Sequence, residues 1–275
     1  MNQDKALNFL YNTTLGRIFL KPMISKPVSR LGGCLMRSSL SKIKINSFLR
    51  DNSVDMSDFE ERSYSSFNDF FTRRLRPGAR RLAGAAEFIC PCDGCLSAYE
   101  ITPELLFFIK GAPYSVKTLV GGDAVADAFA GGSCLVFRLK VENYHHYHYF
   151  DDGKVIKGST DIKGVLHTVN PIALGQYNFF HQNSRSYTVI DTAHFGMAVY
   201  CEVGAMLVGR IVNLEKESFC GGDEKGYFEF GGSTVVVLIN KDHRIADRFY
   251  ANTQNGIETP VKFGEALMPS DDIDR

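Results

Sequence analysis

The chain has 275 residues, enough for one large domain or two small ones, and its 44% hydrophobic and 23% charged residues are those of a globular protein. Its formal net charge is zero, which excludes a global field for nucleic acid, and no apolar run approaches the roughly 18 residues of a spanning helix. Seven cysteines, an odd number in so long a chain, argue against a disulfide framework. The opening MNQDKALNFLYN has no charged region followed by an unbroken apolar stretch, so a reducing compartment is expected.

Residues 1–50 hold nine Lys or Arg side chains against one acid, Asp4. Nine minus one leaves +8 there and −8 on the remainder, a basic end on an acidic body, which points to an anionic partner. Leu7, Leu10, Tyr11, Leu15 and Ile18 recur at helical spacing and predict a helix over 5–21. Phe9, Phe19 and Leu20 fall off that stripe, so an interfacial membrane helix and a helix packed on the protein's own core both fit. A mitochondrial transit segment is a third reading. The charge favours the membrane, because each Lys or Arg near an anionic leaflet contributes about 1 kcal/mol. The expected organisation is a membrane-associating segment over 1–50 and a body over 51–275.

In the next zone Phe67, Phe70, Phe71 and Leu75 share a helical face, with Ser66 as N-cap, Asp69 three residues on and Pro77–Gly78 as the stop. The neighbouring Arg73, Arg74, Arg76, Arg80 and Arg81 read as a solvated face, although they would suit a lipid phosphate. From about residue 86 short apolar runs recur between glycine corners: 133–141, 154–162, 186–192, 197–203, 206–212, 227–230 and 233–239. Their spacing, without intervening amphipathic helices, predicts antiparallel sheets. The fold class is α+β, mainly β, with a barrel or sandwich-like core behind N-terminal helices.

Three constellations carry chemistry. CPCDGCLS (90–97) contains a Cys92/Cys95 C-x-x-C, but no second pair completes a zinc site, so no metal is expected; Asp93–Gly94 reads as a turn. ENYHHYHYFDDG (142–153) gathers His145, His146 and His148. On a strand His146 and His148 share one face and His145 takes the other, and imidazole titrating at about 6.5 suits acid–base work at neutral pH. GGDEKGYFEFGGST (221–234) places Gly231 and Gly232 before Ser233 at the head of a strand. Glycine inside a strand usually marks a bulge. Here Gly232 also leaves its own carbonyl without a Cβ in front of a serine, and Asp, His and Ser are the ingredients for activating a hydroxyl.

These segments together resemble the proenzyme of the phosphatidylserine decarboxylase family. The likeness covers FNDFFTRRLRPGAR (67–80), Pro-x-Asp-Gly (91–94), GAPYSVKTLVG (111–121), YHHYH (144–148), TVNPIAL (168–174), NSR (183–185), VGAMLVGRI (203–211) and EKGYFEFGGST (224–234). The resemblance implies self-cleavage between Gly232 and Ser233, giving fragments 1–232 and 233–275, the second capped by a covalent pyruvoyl cofactor made from Ser233. By the same resemblance His148, oriented by Asp93, serves as the base, and His145 assists at the carboxylate or the α-carbon. The implied reaction is decarboxylation of phosphatidylserine to phosphatidylethanolamine through a Schiff base, on the cytoplasmic side of a cell membrane to which the protein is peripheral. The implied partners are the two fragments of the chain, phosphatidylserine and an anionic membrane; homodimerisation stays open. Two alternatives stand beside this: a pyruvoyl decarboxylase of a soluble amino acid, and an inactive membrane-binding β protein in which GGST is a hairpin corner. The family often has Leu or Val where this chain has Gly231, but the Gly-Ser pair is kept.

Overall fold

The computed structural model describes residues 26–84, 86–109, 112–162, 183–204, 210–214, 216–231 and 233–268. The expected helix over 5–21, the TVNPIAL segment and Gly232 lie outside them, as do residues 206–209 of the expected strand at 206–212.

Helices α1 (Lys26–Arg37) and α2 (Ile43–Asp51), joined by a 3-10 turn at Ser39–Lys42, precede the short helix α3 (Phe67–Phe71). The expected cap is present: Ser66 Oγ accepts the Asp69 N–H at 3.1 Å. Asp69 itself is held by Arg62 and Ser65, and its carboxyl falls to about 2, the Arg62 hydrogen bond being the largest cause. The helix stops at Phe71, short of the expected Pro77–Gly78. Thr72 turns its hydroxyl back to the Asn68 carbonyl at 3.0 Å, and Leu75 leaves the helical face to form a bridge with Phe59. Met36, Ile45, Phe48 and Leu49 pack on the α3 phenylalanines, so the later part of the basic segment docks on the body.

The β region opens with β1 (Gly94–Glu100), β2 (Phe107–Ile109) and β3 (Ala112–Tyr114), then helices α4 (Val116–Val120) and α5 (Asp123–Asp127). Next come β4 (Ser133–Leu139), β5 (His146–His148), β6 (Gly153–Ile162), β7 (Arg185–Thr192) and β8 (Gly196–Val203). The chain continues through β9 (Ile211–Asn213), β10 (Ser218–Phe219), β11 (Glu224–Phe228) and β12 (Ser233–Ile239), and ends in α6 (Asp247–Gln254) and β13 (Thr259–Val261). Asp93–Gly94, expected as a turn after a strand, instead opens one.

Eight strands form one antiparallel sheet in the order β10-β6-β7-β8-β12-β4-β1-β13; β5-β11-β9 and β2-β3 form smaller sheets. This is the expected mainly β, sandwich-like architecture. Strand β12 sits between β8 and β4 and is buried along its whole length. Val235, Val237 and Ile239 pack with Tyr147 and Phe228 of the three-stranded sheet and with Phe249 and Tyr250 of α6. Val236 and Leu238 point the other way, against Phe107, Tyr114, Leu119 and Val120. Burial on both faces is why the sequence runs Val-Val-Val-Leu-Ile without alternation.

The register also gathers the chemistry-bearing segments. Cys95, Arg138, Thr234, Val203 and Arg185 lie in one row across five strands. Asp93, the exit of β4 toward the histidines, and Ser233 therefore emerge at one end of the sheet. Adjacent strands are about 4.8 Å apart, so β1 and β12 are separated there by roughly 10 Å.

Candidate active site

Ser233 is the first residue of β12 and is buried. Its Oγ lies 3.4 Å from the Gly231 carbonyl, and Gly231 has φ +144°, a conformation that favours glycine. By strand alternation the Ser233 side chain shares a face with Val235, toward the three-stranded sheet. On that same face Glu202, the register partner of Val235, forms a buried ion pair with Lys225 at 2.5 Å. Asn213 bridges the pair, accepting from Lys225 Nζ at 3.0 Å and donating to Glu202 at 3.3 Å. The sequence offered no signal for this pair, because nothing in it aligns residue 202 with residue 225.

The three histidines separate as strand alternation requires. His145 lies over Phe71 at 3.9 Å between ring centroids, with Nδ1 donating to the Asn143 carbonyl at 2.9 Å. Phe71 also packs on Phe230, three residues before Ser233, and the Phe228 N–H donates to the His145 carbonyl. His145 is thus tied to the segment that leads into the Gly-Ser pair. His146 stacks between Tyr144 and Tyr227, and both its nitrogens are engaged, with Glu224 at 2.7 Å and the Thr72 carbonyl at 3.1 Å. That leaves it a structural role. Burial raises the Glu224 carboxyl, but the His146 hydrogen bond and neighbouring positive charge outweigh it, and the net displacement is downward.

His148 lies flat on Phe263, centroids 3.7 Å apart. Its Nδ1 donates to the Gly222 carbonyl at 3.0 Å, so Nε2 carries the lone pair; among the described residues Nε2 has no hydrogen-bond partner. Burial pulls the imidazole down to about 4. The ring is therefore neutral at physiological pH. Gly222, at φ +85°, presents the orienting carbonyl from a turn that a side chain would strain.

The resemblance assigned the orientation of His148 to Asp93; in the structure Gly222 takes that hydrogen bond. Asp93 accepts the Phe263 N–H at 2.9 Å and meets Arg80 at 3.4 Å. Asp93 and His148 thus come together through Phe263, whose backbone one holds and whose ring the other stacks on. Burial raises the Asp93 carboxyl, with Arg80 and the Phe263 N–H opposing.

The arginine cluster divides. Arg74, Arg76 and Arg81 are exposed as expected, but Arg73 is 0% exposed. It covers Phe59 and Phe70 at 4.4 and 5.1 Å and donates to the carbonyls of Glu142 and Asn143. The Asn143 carbonyl thereby receives both Arg73 and His145. The reading of Arg73 as solvated is corrected: a guanidinium placed directly after a buried aromatic helix is drawn in by ring faces and unpaired carbonyls. Cys92 and Cys95 are buried free thiols. Among the described residues no group of three or more His, Cys, Asp or Glu could hold a metal ion.

Residues 67–268 match the family profile described as phosphatidylserine decarboxylase. Phosphatidylserine decarboxylase proenzyme 2 of Clostridium acetobutylicum is 40% identical over 273 residues, covering 98% of this chain and 94% of the relative. The phosphatidylserine decarboxylase proenzymes of Clostridium novyi and Ruminiclostridium cellulolyticum are each 38% identical, covering 96% of this chain and 92% and 90% of theirs. With the profile spanning the site and the likeness running through nearly the whole chain, the protein belongs to the phosphatidylserine decarboxylase family.

Proposed function

We propose that the chain is a self-cleaving phosphatidylserine decarboxylase whose cleavage site is Gly232–Ser233 and whose pyruvoyl cofactor is made from Ser233. The observation that carries this is a buried serine at the head of a fully buried strand, two residues after Gly231 at φ +144°. A buried neutral imidazole with an unpartnered nitrogen lies at the same end of the fold. Ser233 Oγ attacks the Gly232 carbonyl, its proton passes to His148 Nε2, and the peptide bond becomes an ester. β-Elimination releases residues 1–232 with a terminal carboxylate and leaves dehydroalanine at 233. Water replaces the nitrogen, which departs as ammonia, leaving a ketone at the head of 233–275.

The pyruvoyl ketone supplies an electron sink for decarboxylating an amine-bearing substrate. His145 delivers the proton that takes the carboxylate's place on the α-carbon, and the buried aromatics around it exclude water. The mass of the purified protein tests the reading. Fragments 1–232 and 233–275, the smaller modified by borohydride, support it, whereas an intact, unmodified chain overturns it.

One observation favours a second division of labour: His145, rather than His148, shares Phe71 with Phe230 beside the cleavage site. His148→Ala is expected to leave the chain uncut, and His145→Ala to be cut but slow by about 10²-fold or more on substrate. The reverse pattern assigns cleavage to His145. The pH dependence follows from the depressed His148. Its base form persists until pH falls through about 4, so the acid limb of the cleavage rate lies there instead of at about 6.5. The same shift means that stability contributed by the neutral ring is full above about 6.5 and is lost as pH falls from there toward 4.

An anionic membrane surface is the partner best suited to the N-terminal face. Leu40 and Ile43 are each 82% exposed, beside exposed Lys42 and Lys44. No described helix is long and apolar enough to cross a membrane. Leu40→Ser/Ile43→Ser is expected to weaken flotation with anionic vesicles by at least about tenfold while self-cleavage continues. Unchanged flotation would remove this face from the contact.

A further inference from the structure

A cavity of about 190 Å³ opens on the sheet face opposite the Ser233 side chain. Its walls are Ser97 and Tyr99 of β1, Val136 and Arg138 of β4, Phe108 of β2, Thr253 of α6 and Gly256, Ile257 and Glu258 beyond it, with Thr234 among them. Thr234 is 1% exposed, and its Oγ1 has no hydrogen-bond partner among the described residues. A buried hydroxyl left unsatisfied in a cavity wall is costly unless a ligand completes it. Arg138 supplies the charge. It grips Glu258 through Nε and Nη2, which leaves the Nη1 donors of the guanidinium outside that pair. Phe108 and Ile257, 66% and 55% exposed, put apolar surface beside this polar interior.

Position gives the cavity its meaning. Thr234 is bonded directly to residue 233, so the amide that would carry the pyruvoyl group belongs to a residue of the cavity wall. Arg138 is the register partner of Thr234, which puts the guanidinium on the neighbouring strand and the same face. The walls also come from both products of cleavage: residues 97–138 from the upstream fragment and 234–258 from the downstream one.

The geometry points to this cavity as the seat of the substrate's phosphodiester. Arg138 and Thr234 Oγ1 donate to its oxygens, and Phe108 and Ile257 meet the glycerol and the first acyl carbons. The assignment rests on the decarboxylase reading above and adds a headgroup site to it. Glu258 acts as a competing anion that tempers the Arg138 charge, so the two residues predict opposite effects.

The test uses the processed enzyme with monomeric dihexanoyl phosphatidylserine, a soluble substrate that removes vesicle adsorption from the measurement. Arg138→Gln is expected to raise KM about tenfold or more with kcat and self-cleavage little changed. Glu258→Gln, which releases the guanidinium, is expected to lower KM. If Arg138→Gln fails to fold, Glu258→Gln and Thr234→Val, which removes the hydroxyl and should raise KM, decide the matter. Unchanged KM in the folded variants, or a fall in kcat alone, overturns the site. A KM effect seen on anionic vesicles but lost on the monomeric substrate reassigns Arg138 to general membrane attraction and also overturns it. Absence of decarboxylation by the wild-type enzyme would instead sink the decarboxylase reading itself.

Discussion

Ser233→Ala is expected to yield one uncut chain of 275 residues with decarboxylation lost by at least about 10⁶-fold. Alanine keeps the strand, since residue 233 is a small buried position at its start, but it removes the only atom of that residue able to attack the Gly232 carbonyl. Two losses follow from one deletion: no ester forms, and no ketone is left at residue 233. A variant that still split after Gly232 would exclude the serine route. The wild-type fragments should remain associated after cleavage. Residues 234–239 pair with β8, residues 233–239 pair with β4, and the five apolar side chains from Val235 to Ile239 are fully buried. Each such side chain contributes on the order of 2 kcal/mol, so β12 stays seated when its upstream bond is gone. Native elution of wild type should therefore match that of Ser233→Ala, with two chains appearing only on denaturation.

The strands were legible where burial imposed a continuous apolar run. β12 has the expected bounds of 233–239, and β4, β6, β7 and β8 fall within two residues of their expected positions. Legibility failed where local pattern gave way to tertiary contact. The sequence around α6, with only Phe249 and Tyr250 buried, presents too narrow an apolar stripe to announce a helix. The sequence pattern carries α3 beyond its end because Leu75 continues the helical period, yet the strand-like bridge of Leu75 to Phe59 prevails. At the site, the residue types and the alternation of the histidines were readable from spacing alone. Their partners were not, because Gly222, Glu224 and Phe263 reach the histidines from the other end of long connections. Arg73 shows the same limit: an arginine among four others carries no local mark of being the buried one.

Lys225→Met, made in the Ser233→Ala chain so that a single polypeptide unfolds, is expected to cost about 3–5 kcal/mol of stability, read by chemical denaturation. Lys225 is 2% exposed and Glu202 0%, so removing the amine strands a carboxylate in the interior. Burial already pushes the Glu202 carboxyl upward and Lys225 is the largest influence opposing that shift, so removing Lys225 takes away most of what offsets the burial of the charge. Asn213 offsets only part of the loss, since its amide is divided between Glu202 and Ser159. Lys225→Met/Glu202→Met should recover most of the stability, because the costly state is the unpaired charge and not the absence of the pair. A loss under about 1 kcal/mol in the single variant would show that water reaches the pair. The pair also bears on the reaction. Lys225 fastens β11, the last strand before Ser233, to β8 on the face that Ser233 presents. In the Ser233-intact chain the double variant should therefore fold yet cleave more slowly, because the strand that leads toward the proposed Gly232–Ser233 cleavage site has lost its polar anchor. Normal cleavage by a stable double variant would confine Lys225 and Glu202 to folding alone.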